Sequence, residues 1–198
     1  GDPTQEENGP GSSTMKARVT GGTSGRTTGV PEYQQALNVG LLLSQELTAR
    51  GYTVAMTRTS NDVNISNKER AEYGNSVGAN AVVRLHCNGV ENTSTSGALT
   101  MAVSSSNPYC ASIAGQSQSL ARNVIDSYCA ATGMVNQGVS ITDTMTGLNW
   151  STSPACIIEM GYMTNPAEGQ LMATDDYQNR IVTGIANGID DFVAGRIR

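Results

Sequence analysis

Two mainly apolar runs constrain the fold of this chain more than any other feature of its sequence. One run occupies residues 81–85 and leads into His86, the only histidine, and the other occupies residues 154–158 and leads into Glu159. Runs of this kind are typical of strands that are buried on both faces of a sheet. The sequence therefore predicts two core strands that each carry a polar group at the end.

Helical and strand patterns alternate along most of the chain, whereas the first thirty residues, rich in Gly, Ser and Thr, are predicted to be loop. Helices are predicted over residues 31–50, 66–78, 107–133 and 174–194, with a short helical turn that starts at Pro166. Strands are predicted over residues 52–58, 81–88, 97–103 and 154–161, with two short extended pieces at residues 139–142 and 148–150. This alternation predicts one α/β domain with a twisted, mostly parallel sheet that helices cover on both faces.

Length and charge limit the classes of partner. A chain of 198 residues is long enough for one domain with a sizeable core. The formal net charge is −5 and no basic run occurs, so nucleic acid is not expected as a partner. No apolar stretch approaches the roughly 20 residues that span a bilayer. We expect a soluble monomer from which any export signal has been removed.

The four cysteines do not form a recognisable disulfide or zinc pattern. Cys110 and Cys129 fall on one predicted helix, roughly 28 Å apart at 1.5 Å per residue, and should not bridge. Strand alternation places Cys87 and Cys156 on the face opposite the two polar groups at the strand ends. These two thiols could be neighbours, although buried free cysteines are the commoner case.

His86 and Glu159 together indicate a functional site. A carboxylate directly after an apolar strand must be paired, bound to a metal ion or raised in pKa. Open α/β sheets bind ligands at the ends of their strands. The alternatives are a buried salt bridge of Glu159 with Arg84 or Arg58, and a hydrogen bond of His86 within the core.

Short motifs follow one another along the chain. They are Gly-Pro-Gly-Ser-Ser at residues 9–13, Gly-Gly-Thr-Ser-Gly at 21–25, Gly-Val-Pro-Glu-Tyr at 29–33, Thr-Arg at 57–58, Glu-Arg-Ala at 69–71 with Asn75, Leu-His-Cys-Asn at 85–88, Gly-Ala-Leu at 97–99 and Glu-Met-Gly-Tyr-Met-Thr-Asn at 159–165. Each motif alone is weak, but in this order they cover essentially the whole chain. The chain thereby resembles the zinc-dependent N-acetylmuramoyl-L-alanine amidases that cut bacterial peptidoglycan.

The resemblance implies a phosphorylase/hydrolase-like α/β fold and a Zn²⁺ cofactor. Carried over by position, Glu32 and His86 correspond to zinc ligands and Glu159 to the general base. Arg70, Asn75 and Asn88 correspond to family positions that bind substrate or support the site. Taken alone, Glu32 is also explained as an acid in the first turn of a helix, where the helix dipole favours it.

One zinc ligand of the family has no counterpart here. Its first zinc histidine lies in a Gly-His motif at the end of an opening strand, upstream of the Gly-Pro-Gly loop. We therefore expect residues 1–198 to be an amidase catalytic domain truncated at its N-terminus relative to the family, with weak zinc binding and an uncovered sheet edge. The alternatives are a natural variant with an incomplete site, or Asp2 as a substitute ligand.

The expected function is hydrolysis of the amide bond between N-acetylmuramic acid and L-alanine in peptidoglycan, by a secreted or cell-wall-associated bacterial enzyme. Aromatic residues make up 5% of the chain, so we expect recognition chiefly of the peptide stem rather than stacking on sugars. Two alternatives remain open: a catalytically silent, amidase-like peptidoglycan-binding module, and a zinc peptidase that acts on the stem peptide.

Overall fold

The computed structural model describes residues 2–195, which form strands and helices in alternation. In chain order the strands are β1 (Asp2–Glu7), β2 (Met15–Val19), β3 (Val82–Asn88), β4 (Ala98–Ala102), β5 (Asn136–Ile141) and β6 (Ala155–Tyr162). The helices are α1 (Glu32–Ala49), α2 (Asn67–Ser76), α3 (Ala114–Thr132), α4 (Thr146–Asn149), α5 (Pro166–Met172) and α6 (Asp175–Val193). No helix in this part of the chain is both long and apolar enough to cross a membrane.

The central sheet has the strand order β3-β6-β4-β5. The pairs β3–β6 and β4–β5 are parallel, and β4–β6 is antiparallel. The predicted α/β domain is confirmed, with a sheet that is mixed rather than uniformly parallel. Strand β3 lies at one edge of this sheet, and its carboxyl end points the same way as that of its neighbour β6.

Alternating side chains of β6 face two separate hydrophobic clusters. Cys156 and Ile158 belong to the larger cluster, which is formed with α1, α3 and α6. Ala155 and Ile157 belong to the smaller cluster, which includes Leu148 of α4. Elements therefore cover both faces of the sheet, as the apolar run in β6 predicts. Glu159 continues the series that faces the smaller cluster.

The cysteine predictions are confirmed within the described residues. All four cysteines are free, so Cys110 and Cys129 do not bridge. Cys87 and Cys156 both lie in the larger hydrophobic cluster, on the face of the sheet opposite Glu159. Because burial raises the pKa of both thiols, they pack as small apolar groups.

The prediction of loop for the first thirty residues is wrong, because β1 and β2 form an antiparallel hairpin there. The hairpin lies over α2 and α4: Glu6 accepts a hydrogen bond from the Lys68 backbone N–H (3.1 Å), and the Glu7 carbonyl accepts one from the Trp150 indole (2.9 Å). Its strands are polar and lie at the surface, so they lack the apolar period that identifies a strand in sequence.

Three other predicted boundaries differ from the structure. Residues 52–58 form no strand. Their β-branched residues favour an extended conformation, but a strand also needs a neighbouring strand to pair with, and the sequence of the segment does not provide one. Residues 148–150, predicted as extended, include the end of helix α4. The helix predicted from residue 107 begins at Ala114, after a 3-10 turn, because the Asn107 side chain accepts the backbone N–H groups of Tyr109 and Cys110 in a local turn.

Candidate active site

The register between β3 and β6 places the two predicted polar groups side by side. His86 and Glu159 are directly paired positions of these parallel strands, so their side chains leave the same face of the sheet. The register shifts immediately after His86, and the next pairing joins Asn88 to Tyr162. The site therefore lies at the carboxyl ends of the edge strand β3 and its buried neighbour β6, where open sheets bind ligands. The prediction of a core strand is wrong for β3, because it pairs on one side only and its residues 82–86 are half-buried.

Helix α1 brings Glu32 into contact with His86. Pro31 precedes the helix and Glu32 is its first residue. One carboxylate oxygen, Glu32 Oε1, lies 2.9 Å from His86 Nδ1 and accepts the Cys87 backbone N–H at 3.3 Å. The other oxygen, Oε2, accepts the backbone N–H of Thr23 at 3.1 Å. Residues 54 positions apart in the sequence thus share one contact.

Glu32 is held in its ionised form. Burial acts to raise its pKa, but the hydrogen bond and charge of His86, with the N–H groups of Thr23 and Cys87, lower it below the ordinary value. An ionised carboxylate only accepts hydrogen bonds, so the proton between the two side chains is assigned to His86 Nδ1. The contact is a charge-assisted hydrogen bond or an ion pair, depending on the protonation of His86.

Glu159 has the opposite electrostatic environment. Burial raises its pKa, the charge of Glu32 raises it further, and His86 acts against both. Glu159 Oε2 is buried and has no hydrogen-bond partner. Neither Arg84 nor Arg58 forms an ion pair with it within the described residues, so the salt bridge considered from the sequence is not formed. A carboxyl group with a raised pKa and an unpartnered oxygen beside a histidine is typical of a general acid or base.

The site offers two donor atoms of the kinds that bind zinc, an imidazole nitrogen of His86 and a carboxylate oxygen of Glu32. Ligand atoms of tetrahedral zinc lie about 3.3 Å apart, given bond lengths of about 2.05 Å. His86 Nδ1 and Glu32 Oε1 lie 2.9 Å apart, and a zinc ion held by both atoms would take the place of the proton that Nδ1 carries between them. Within residues 2–195 no group of three or more His, Cys, Asp or Glu side chains is arranged to hold a metal ion. His86 and Glu32 are therefore the residues here that would hold zinc, and the buried, unpartnered Glu159 oxygen lies on the strand beside them.

The segment before α1 holds the Glu32 carboxylate from the other side. The backbone N–H of Glu32 donates to the Thr23 carbonyl at 2.9 Å, which returns the hydrogen bond that Thr23 gives to Glu32 Oε2. Gly22 has φ +73, and a Cβ atom on it would lie 2.7 Å from that same oxygen. Thr23 and Gly22 belong to the Gly-Gly-Thr-Ser-Gly motif, but the sequence did not reveal that they position Glu32.

The three supporting residues predicted from the sequence lie in different surroundings. Asn88 follows the site directly, where its side chain accepts the Gly89 N–H and its carbonyl accepts the Met163 N–H. Arg70 donates to the Ile65 carbonyl (3.2 Å) and to Thr57 Oγ1 (3.3 Å) and so braces the loop before α2. Asn75 joins the carbonyl of Trp150 to the N–H of Thr152.

The structure brings Asn88 next to the paired His86 and Glu159 but places Asn75 at the other end of the sheet. Asn75 lines a cavity with Pro154, which precedes the first residue of β6. Glu159 lies four residues beyond Ala155, or about 13 Å along the strand at 3.3 Å per residue. Asn75 therefore braces the opposite end of the strands and does not contact the site.

Asp2 does not approach His86. Its carboxylate accepts hydrogen bonds from Thr4 and Asn64 and pairs with Arg18 at 3.5 Å. The hydrogen bond from the Thr4 hydroxyl is the largest cause that lowers the pKa of Asp2 to about 2. These partners stabilise the charged carboxylate of Asp2 within the hairpin, so the structure offers no support for Asp2 as a metal ligand.

The sequence analysis missed Glu168 of α5, a buried carboxylate that supports the site. Its Oε1 accepts the Gly97 N–H and its Oε2 accepts the Tyr162 N–H, both at 2.7 Å. Glu168 thereby ties the start of β4 to the end of the strand that carries Glu159. The pattern Asn165-Pro166-x-Glu168 is a signal for a helix start, which suggests a capping role rather than this long-range contact.

Comparison with known proteins extends the match over nearly the whole chain. The model of a family described as N-acetylmuramoyl-L-alanine amidase matches residues 8–191, which include Glu32, His86 and Glu159. The N-acetylmuramoyl-L-alanine amidase Rv3717 of Mycobacterium tuberculosis is 30% identical over 179 residues, covering 87% of this chain and 73% of that protein.

Solved structures agree with this match. The N-acetylmuramyl-L-alanine amidase Ami1 of Mycobacterium smegmatis superposes with a TM-score of 0.89 and 26% identity, over 98% of this chain and 90% of that chain. The apo form of Ami1 from Mycobacterium abscessus gives a TM-score of 0.87 and 27% identity, over 96% of this chain and 90% of that chain. The similarity therefore includes the arrangement of strands that forms the candidate site.

Proposed function

The chain belongs to the N-acetylmuramoyl-L-alanine amidase family, and on that basis we propose that it hydrolyses the amide bond between N-acetylmuramic acid and L-alanine of peptidoglycan with the aid of zinc. The observation that carries the proposal is the contact between Glu32 and His86 beside the unpartnered carboxylate oxygen of Glu159. Metal ligands and a carboxylate base are the groups that metal-assisted hydrolysis of an amide uses.

Glu32 and His86 would hold the zinc ion, which when bound supplies the Lewis acidity that polarises the scissile carbonyl. Glu32 is suited to this because the backbone N–H groups of Thr23 and Cys87 hold its carboxylate independently of the contact with His86. Glu159 takes a proton from the attacking water and delivers it to the leaving nitrogen of L-alanine. Its raised pKa makes Glu159 a stronger base toward the attacking water than an ordinary carboxylate, and the protonated form then gives its proton to the leaving nitrogen.

A second candidate function is a peptidoglycan-binding module without catalysis. The number of ligands favours it, since zinc in catalytic sites has three protein ligands and the described residues supply two. Such a module would bind peptidoglycan without releasing product. We also propose that the protein is exported to the cell wall, because its substrate lies outside the cytoplasmic membrane.

We expect a chelator to slow peptidoglycan hydrolysis by the purified protein at least tenfold, and added Zn²⁺ to restore it, because carbonyl polarisation needs the metal. The measurement is the release of new L-alanine amino termini. Mass spectrometry should find intact stem peptides and glycan strands, whereas a peptidase would cut within the stem. Chelator-insensitive hydrolysis would contradict the zinc mechanism, and binding without release would support the silent module.

We expect Gly22→Ala to reduce hydrolysis about tenfold or more, because the new Cβ would displace the Glu32 carboxylate. Its positive φ should also cost about 1 kcal/mol of stability. Gly11→Ala is the matched control, since Gly11 has φ +75 and a Cβ atom added there would have no neighbour within 4 Å. Urea unfolding should show similar losses for both variants, and only Gly22→Ala should lose activity. Equal activity of the two variants would mean that Gly22 does not position Glu32.

A further inference from the structure

Two arginines beside the candidate active site lack an acidic partner. Arg58 donates to the carbonyls of Ser60 and Tyr33 and to Asn61 Oδ1. Arg70 donates to the hydroxyl of Thr57, the residue that precedes Arg58, and to the Ile65 carbonyl. All these acceptors are neutral. The two guanidinium groups are close enough that the charge of Arg58, after burial, lowers the pKa of Arg70.

The other arginines within residues 2–195 have different surroundings. Arg84 also lacks an ion pair, but it donates to Asn67 Oδ1 at 2.7 Å and its unpartnered Nε is buried, so that donor is not open to a ligand. Arg18 and Arg50 each form ion pairs with two carboxylates. Arg26, Arg122 and Arg180 are exposed to water. Arg58 and Arg70 are half-buried, and within the described residues neither has a carboxylate oxygen within 4 Å.

The acid that acts electrostatically on Arg70, Glu69, already has other partners. Glu69 acts on the pKa of Arg70, but its carboxylate accepts the Ser66 N–H in the capping box of α2 and pairs with Arg18 at 3.0 Å. Two like charges held together at partial burial repel each other, so this arrangement costs free energy that an anion would offset.

Each of the two guanidinium groups keeps a donor for a ligand. Arg58 Nε and Arg70 Nη2 make no hydrogen bond within the described residues, and neither atom is among the buried atoms that lack a partner. Both donors are therefore open to solvent. A guanidinium with free N–H groups is the side chain best suited to bind a carboxylate.

The pair lies next to the zinc-ligand end of α1. Arg58 Nη2 donates to the Tyr33 carbonyl at 2.6 Å, and Tyr33 follows Glu32 directly. Asn61 donates to the Gln34 side chain at 2.7 Å, which ties the same loop to the first turn of α1. An anion bound at Arg58 would therefore lie beside the first turn of α1, whose first residue, Glu32, contacts His86.

We propose that Arg58, with Arg70 behind it, binds the free α-carboxylate of the glutamate that follows L-alanine in the stem peptide. This inference rests on the proposed function and adds to it a preference for acidic over amidated stems. The carboxylate replaces the missing acidic partner of the arginine pair, and an amide in its place brings no negative charge. Arg58 contacts the substrate, and Arg70 raises the local positive potential.

Binding of two tripeptides tests the proposal without any need for catalysis. The probes are L-alanyl-γ-D-glutamyl-L-lysine and the same peptide with its glutamate α-carboxyl amidated, titrated by calorimetry or by NMR shifts. We expect the wild-type protein to bind the acidic peptide about tenfold more tightly, and this preference to shrink with added salt. In Arg58→Gln, which keeps a donor for the Tyr33 carbonyl, the preference should disappear.

Two further variants separate recognition from folding. Arg122→Gln removes an exposed arginine of α3 and should leave the preference unchanged. Arg58→Lys keeps the charge and should retain part of the preference even if Arg58→Gln unfolds. Equal binding of both peptides to the wild type, or an equal loss for both in Arg58→Gln, would overturn the proposal. Failure of the proposed hydrolysis would appear separately, as tripeptide discrimination without release of L-alanine termini.

Discussion

Glu159→Gln is expected to slow peptidoglycan hydrolysis by a factor of about 10²–10⁴, which is the usual contribution of a general acid or base. The substitution keeps the size of the side chain and removes its ability to take the proton of the attacking water. The rate of release of L-alanine amino termini measures the effect. A variant that hydrolyses within a few-fold of the wild type would show that the base is another group.

The same substitution should not weaken the fold. Glu159 Oε2 is buried without a partner, so the charged form is unfavourable in the native state and the pKa is raised. A carboxyl group with a raised native pKa lowers stability above its unfolded pKa of about 4.3, and this penalty disappears as the pH falls below that value. We therefore expect Glu159→Gln to raise the free energy of unfolding at pH 7 and to match the wild type near pH 3.

Glu168→Ala is expected to have the opposite profile, a large loss of stability with no direct effect on the chemical step. The carboxylate accepts two backbone N–H groups, those of Gly97 and Tyr162. Each buried N–H left without a partner costs roughly 1–3 kcal/mol, so the variant should lose roughly 2–6 kcal/mol. The midpoint of urea unfolding measures this loss.

Two controls define the result for Glu168. Glu168→Gln keeps one of the two acceptors and should lose less stability, which keeps the comparison informative if the alanine variant does not fold. Glu72→Ala removes an exposed carboxylate that lies 3.8 Å from Lys68 and should change stability by less than about 0.5 kcal/mol. A loss in Glu168→Ala no larger than that in Glu72→Ala would mean that water replaces the carboxylate at both N–H groups.

Glu159 and Glu168 show why identical residue types have separable roles. Both are acids whose pKa is raised chiefly by burial. Glu168 accepts two backbone N–H groups and so connects β4 to β6, whereas Glu159 has an oxygen without a partner and faces His86. A carboxylate that the fold leaves without a partner remains available for proton transfer, so its hydrogen bonds, and not its burial alone, indicate its role.

Features that depend on neighbouring residues could be predicted from the sequence. The helix predicted over residues 66–78 begins with a capping box of Ser66 and Glu69, whose spacing is the sequence signature of a helix start, and both reciprocal hydrogen bonds are present. The strand that ends in Glu159 lies in the core, as its apolar run predicts. Pro31 stands just before α1, where its fixed φ is compatible with a helix start.

Features that depend on partners far away in the chain could not be predicted in this way. Residues 52–58 have the composition of a strand, but no strand within residues 2–195 pairs with them. The polar segments of β1 and β2 have no strand pattern, yet they pair as an antiparallel hairpin. The unpaired state of Arg58 and Arg70 is likewise invisible in a sequence that contains 17 acidic residues. Composition records which groups are present but not which of them meet.

The order of residues was enough to predict the alternation of helices and strands, the polar groups at the strand ends and the family to which the motifs belong. The helices, strands and strand ends follow from periodicity and capping, which act over a few residues, and the family follows from the resemblance of the ordered motifs. Only the folded chain reveals that Glu32 contacts His86 and that Glu159 lies beside them without a hydrogen bond to Oε2. The reason is that strand register and helix packing set these distances, and both depend on which distant segments pack together.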